Sequence, residues 1–261
     1  MGRKASRNTS IEALRLVAVA GIAIFHTFQW TFQAACIGVP EYVSLAAFPY
    51  SGLLGFINQL GCWANEVFFM ISGYFLIPSA VHALQNGSSA QHLTLKSLER
   101  LKKIVLPTLF YCAACLLVSM YVYPLPEISL HEIGWLTLGI EFIWVYAASV
   151  LLVPVIALIR QQIGSKRAPF VAALLVFTTF GINCYIAATA NEAAGIVLWR
   201  KLMSAVTYLV AFIAAGEMRF VLEHHGNASG AQKSKIALIG LVTAAIALEL
   251  LLSANSQYDA L

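Results

Sequence analysis

Arg15 and His26 lie eleven residues apart in a run of chain that is otherwise almost wholly apolar. Eleven steps of about 100° return to within about 20° of the starting face while rising roughly 16 Å, so on one helix the two side chains point the same way. A guanidinium is suited to holding an anion, and an imidazole to moving a proton near neutral pH. Glu12, three residues before Arg15, can hold the guanidinium in place through an i,i+3 pair. Ionisable groups inside apolar spans cost about 3 kcal/mol or more to insert, so each is a candidate for function. The plainer alternatives are a basic residue snorkelling at a helix start for Arg15 and an imidazole bonded to a neighbouring helix for His26.

A second constellation runs from Asn65 to Leu76 and contains Glu66, Ser72, Gly73 and Tyr74. Its Ser-Gly step predicts close approach of another backbone and leaves a hydroxyl inside the bundle. As packing chemistry alone the aromatic residues are helix surface, and Glu66 is an interfacial charge. A third is Leu98 to Pro107, where Arg100, Lys102 and Lys103 close a basic stretch and a proline enters the next helix. Its plain reading is a topology anchor; the functional one is a clamp for the phosphates of an acyl carrier.

Other polar groups carry less. Cys112 and Cys115 form a C-x-x-C inside an apolar span without companion ligands, which reads as core packing. Cys36 and Cys62 share the predicted outer side, where a disulfide between them is an option. The sequons at Asn86 and Asn227 fall on the predicted inner side, where they would not be used. His224-His225 has too few companions to make a metal site, and none is expected elsewhere.

These residues need elements to position them, and composition says which. Of 261 residues, 60% are hydrophobic and 11% charged, against roughly 45–50% and about 25% in soluble domains. Apolar runs near 13–33, 63–81, 104–123, 135–159, 168–190, 202–222 and 236–253 match the length that crosses a bilayer. The expectation is an all-α, polytopic transmembrane bundle of about seven spans, one membrane-embedded domain over 1–261. The segment 36–62, with Pro40, Pro49 and four glycines, is expected to be an outer loop with a short interfacial or re-entrant helix.

Basic residues precede the first, third, fifth and seventh spans, at Arg3, Lys4 and Arg7, at Lys96, Arg100, Lys102 and Lys103, at Arg160, Lys166 and Arg167, and at Lys233 and Lys235. The opposite loops hold only Arg200 and Lys201. The N-terminus is therefore predicted to be cytoplasmic and the C-terminus outside. The first apolar run is too long, and too polar at Arg15 and His26, for a signal peptide. A net charge of +4 serves orientation and gives no reason to invoke nucleic acid.

Taken together, these motifs resemble a known family. Ser10-Ile11-Glu12-Ala13-Leu14-Arg15, followed after ten intervening residues by His26, is similar to the first-helix signature of the acyltransferase family 3 integral membrane proteins. Phe68-Phe69-Met70-Ile71-Ser72-Gly73-Tyr74-Phe75-Leu76 resembles the family's second motif, and the basic run ending at Pro107 its third. Phe142, Tyr146 and Pro154 are spaced like its next aromatic-rich helix. The form is most similar to the branch that modifies surface and exopolysaccharides, over roughly residues 8 to 156. Two features depart from the pattern: Glu141 stands where that branch usually has a tryptophan, and about seven spans compare with about ten in the family, so that the chain looks shortened.

The resemblance implies O-acylation, commonly acetylation, of a carbohydrate hydroxyl by a bacterial-type plasma-membrane enzyme that uses acyl-CoA as co-substrate and no permanently bound cofactor. It implies His26 as general base or covalent carrier and counts Glu66 in the catalytic set, with Glu66 and Ser72 ordering the acceptor end of the pore. Arg15, Glu12, Arg100, Lys102 and Lys103 would bind acyl-CoA, and Ser72 and Tyr74 belong to the substrate- or acyl-CoA-binding set. The alternatives are a transporter or flippase of a glycan or lipid intermediate, with Arg15, His26 and Glu141 as substrate or proton sites, and an inactive truncated acyltransferase.

Overall fold

The computed structural model describes residues 9–47, 49–125, 128–129, 131, 141–189 and 195–224. All regular structure among them is helical: α1 Thr9–Cys36, a 3-10 turn Val43–Ala46, α2 Tyr50–Gln85, α3 Ala90–Tyr121, α4 Glu141–Ile163, α5 Ala168–Thr189 and α6 Gly195–His224. Each of the first six expected spans overlaps one helix. Residues 135–140 of the fourth and the whole of 236–253 lie outside the described residues, as do Arg3, Lys4, Arg7, Lys233, Lys235, Asn227, His225 and the side chains of Cys36, Cys62, Arg200 and Lys201.

Five stretches are long and apolar enough to cross a membrane: Thr9–Ala35, Tyr50–Gln85, Ala90–Tyr121, Glu141–Ile163 and Leu202–Glu223. Ala168–Asn183 is apolar but shorter. Among the described residues there are thus five candidates against the seven expected. Large apolar side chains such as Val17, Phe28, Leu106, Phe110, Phe170 and Phe177 stand exposed on these helices, a surface that lipid accepts and water does not.

One expectation is corrected. Residues 50–62 are not part of a loop but the beginning of α2, which runs for 36 residues without a break. Gly61, one of the glycines read as breakers, serves contact instead: a Cβ there would run into the ring of Phe25 on α1. Small residues at a helix seam let two backbones approach where hydrophobic exclusion gives no drive for association.

Local signals explain the helix ends. Glu12 stands in the first turn of α1, where its charge complements the exposed N–H groups. Gly38 (φ 75°) ends α1, its N–H donating to Ala35 and that of Val39 to Ala34. Gly87 (φ 85°) ends α2 with the same paired bonds to Leu84 and Ala83, a geometry a side chain would strain. Ser89 then caps α3, its hydroxyl accepting from the His92 N–H at 3.2 Å.

The chain forms two compact units, Met1–Ile71 with Phe177–Met203 and Phe220–Leu261, and Ser72–Val176 with Ser204–Arg219. In the first, Ala18, Ile11 and Ile22 of α1 pack against Ala64, Val67, Phe68 and Ile71 of α2. Phe32, Ala35 and Leu54 form a second cluster beside Tyr42 and Leu45 of the 3-10 turn. In the second unit α3 lies against α4, and α2 meets α6 so closely that a Cβ on Gly73 would overlap the Phe212 carbonyl. The backbone approach expected from the Ser-Gly step is found there.

Candidate active site

Helix α1 carries its polar groups along one stripe. Arg15 Nη1 donates to Glu12 Oε1 at 3.0 Å, the pair expected from their spacing. Because the helix is continuous, His26 shares the face of Arg15. Val17, Ile24 and Phe28 occupy the opposite side, about 160–220° around the axis, and are exposed. The stripe borders the Ala18–Ile22 seam with α2 on one side, and on the other Val19 and Leu16 are exposed, as is His26 itself.

His26 is held from its own helix: its Nδ1 lies 3.1 Å from Gln29 Oε1, and its ring meets Phe25 at 5.0 Å and 61°. An amide oxygen only accepts, so this contact favours the tautomer that carries its proton on Nδ1. Gln29 escaped the sequence reading, although an amide three residues beyond a mid-helix histidine is a usable signal.

Glu66 is not brought to His26. The α2 residues facing α1 are Leu60, Gly61, Ala64, Val67, Phe68 and Ile71, and Glu66 lies about 160° around the helix from that group. It belongs to the same unit as His26 but points away from the α1 seam.

The second unit holds Ser72, Tyr74, Arg100, Lys102 and Lys103. Ser72 Oγ pairs with the Tyr146 hydroxyl at 2.9 Å, joining two residues singled out in separate motifs. Arg219 of α6 stands 5.2 Å from the centroid of the Tyr74 ring and 5.5 Å from that of Phe75, a cation–π arrangement. Arg100 lines a small cavity with Lys96, Ser97, Ser79, Ala80, Leu93 and Val153, drawn from α2, α3 and α4. Lys103 follows Lys96 and Arg100 at i, i+4, i+7 spacing on one face of α3, whereas Lys102 lies more than 100° away and lines a groove with Leu98, Glu99 and Leu106. The basic cluster is therefore Lys96, Arg100 and Lys103, with Lys102 apart from it.

A further pair lacks any local sequence signal. Arg160 Nε donates to Glu217 Oε1 at 2.6 Å, with side chains only 10% and 8% exposed. They stand 57 residues apart on α4 and α6, so only the tertiary fold joins them. Glu141 is exposed at the first turn of α4. Cys112 and Cys115 form no disulfide, and among the described residues no three His, Cys, Asp or Glu side chains converge as metal ligands.

Helices with this apolar surface, an Arg-x10-His stripe and a Ser-Gly-Tyr helix contact define an integral membrane protein whose apolar helices carry a few polar groups. The family model described as an acyltransferase domain, that of acyltransferase family 3, matches residues 8–261, and the chain belongs to that family. The match extends well beyond residue 156, where resemblance by motif ends. No curated protein and no solved structure matches the chain.

Proposed function

We propose that this membrane acyltransferase moves an acyl group, acetyl in the simplest case, from cytoplasmic acyl-CoA to a hydroxyl of a surface polysaccharide or its precursor. The observation that carries the reading is the α1 stripe, on which Glu12 steadies Arg15 and Gln29 steadies His26. On this reading the Nε2 of His26 takes the proton from the sugar hydroxyl as its oxygen attacks the thioester carbonyl. The C–S bond breaks, an ester forms, and the thiolate of CoA leaves with the proton returned by the imidazolium. A route through an acyl-imidazole on His26 divides the same bond changes into two steps.

Arg15 would hold the donor roughly 16 Å below His26, a separation suited to a long flexible acyl carrier. Lys96, Arg100 and Lys103 would meet its phosphates as the chain of basic residues on α3. Ser72 and Tyr74 would serve the acceptor, with Ser72 held by Tyr146. Glu66, directed away from the α1 seam, would act on the acceptor side rather than on the imidazole. The reaction would use no resident cofactor or metal.

Membranes carrying the protein are expected to incorporate label from acetyl-CoA into polysaccharide, and His26→Ala at equal protein level to abolish incorporation. Undiminished transfer in that variant would remove the mechanism. Flux of a glycan intermediate that depends on pH but consumes no acyl-CoA would favour a transporter instead.

A further inference from the structure

The α1 stripe does not stop at His26. Gln29, Trp30 and Gln33 continue it, Gln33 standing eighteen residues, or five full turns, beyond Arg15. Trp30 leaves most of its indole uncovered, at 63% exposure, and meets Tyr42 edge-on at 5.3 Å and 88°. Tyr42 is fixed in turn by the cluster of Phe32, Ala35 and Leu54. With Arg15 at one membrane interface, Trp30 and Gln33 come about 22 and 27 Å further along, at the other. Ile24 and Phe28 of α1, both exposed, lie about 120° or more around the helix from Trp30 and Gln33.

We infer that Trp30, Tyr42 and Gln33 form a saccharide subsite that holds one sugar ring of the acceptor next to His26. The inference rests on the acyl-transfer reading above and adds where the acceptor binds. An amide offers a donor pair and an acceptor, matching the vicinal hydroxyls of a sugar. An open indole offers a flat apolar face for the sugar's C–H surface, and a second ring at right angles limits how the sugar slides along it. One helical turn, about 6 Å, separates Trp30 from His26. That is close to the width of one sugar ring, so a ring stacked on Trp30 has a hydroxyl level with the imidazole. Gln29, bonded to His26, links the subsite to the reacting group.

The test uses the full chain in lipid nanodiscs, titrated calorimetrically with hexasaccharides of glucose, galactose and N-acetylglucosamine. In parallel, transfer of labelled acetyl from acetyl-CoA to the same saccharides is followed. At least one saccharide is expected to bind. Trp30→Leu and Gln33→Ala should each weaken binding about tenfold and raise the acceptor KM in proportion, while Trp30→Tyr restores most of it. His26→Ala should bind the saccharide as the parent does. No binding by any of the three saccharides, or binding unchanged in both Trp30→Leu and Gln33→Ala, overturns the subsite. So does a Trp30→Leu effect confined to the amount of protein inserted, which is what a simple interfacial anchor predicts. Failure of the acyl-transfer reading is distinct: the saccharide titration holds, but no acetyl is transferred or His26→Ala transfers normally.

Discussion

At the scale of single residues, the informative feature of α1 is how its polar side chains are held. Arg15 leans on Glu12 and His26 on Gln29, each three residues away on the same helix. An imidazole whose tautomer depends on one donated hydrogen bond is sensitive to that bond. Gln29→Ala is expected to lower kcat/KM about tenfold to a hundredfold, in line with a hydrogen bond to a group that becomes charged. Gln29→Glu, which keeps an accepting oxygen at the same reach, should recover much of the loss. Equal activity in parent and Gln29→Ala would show that the contact does not set the tautomer. The Arg15–His26 pair was legible because helical periodicity turns a spacing of eleven into a shared face. Glu66 was not, because a carboxylate beside a motif says nothing about which side of its helix it takes until the seam partners are known.

At the scale of helices, glycine carries the lesson. Read as a breaker, it suggested a loop before residue 63; in the structure Gly61 and Gly73 are contact points on one continuous helix. The two meanings differ only in whether a neighbour occupies the space of the missing Cβ, and that neighbour is distant in sequence. Gly73→Ala forces α2 and α6 apart and is expected to cost about 1–3 kcal/mol, the usual penalty for overfilling a tight contact. Gly181→Ala, on α5, meets nothing within 4 Å and serves as the control; in helix interiors that change is favourable by about 0.5–1 kcal/mol. Thermal unfolding in detergent should therefore show a lower midpoint for Gly73→Ala and none of that loss for Gly181→Ala. The Ser72–Tyr146 contact joins α2 to α4. Ser72→Ala and Tyr146→Phe should be non-additive in the same assay by about 1 kcal/mol, and strict additivity would mean the two hydroxyls do not interact.

At the scale of the whole molecule, composition settled the class, since no soluble domain carries so much apolar surface. It left open how distant helices pair. Arg160 and Glu217 form a buried ion pair across 57 residues, and neither position is marked in the sequence by anything but a charge in an apolar run. Losing either partner strands a charge in a low-dielectric interior, for about 3–5 kcal/mol, whereas replacing both by methionine should cost far less. Folded yield of Arg160→Met, Glu217→Met and the double variant measures this, and a double variant worse than either single would contradict it. The basic residues near the α2–α3 and α4–α5 turns predict that both turns face the cytoplasm. Ser88→Cys should react with an impermeant thiol reagent from the cytoplasmic side only, and Tyr123→Cys from the outer side only.

Those two turns have a consequence for biosynthesis. Residues 86–89 are all that separates α2 from α3, and residues 164–167 all that separates α4 from α5, with Gly87 and Gly164 in the left-handed conformation at each bend. A chain delivered N-terminus first has no slack at such a bend to let one helix settle across the bilayer while its successor waits in water. The two helices of each pair are therefore expected to enter the bilayer together, each with its backbone hydrogen bonds already satisfied within itself. Lengthening either turn would then be felt first during insertion, as helices stranded on the wrong side, before it was felt in the finished enzyme.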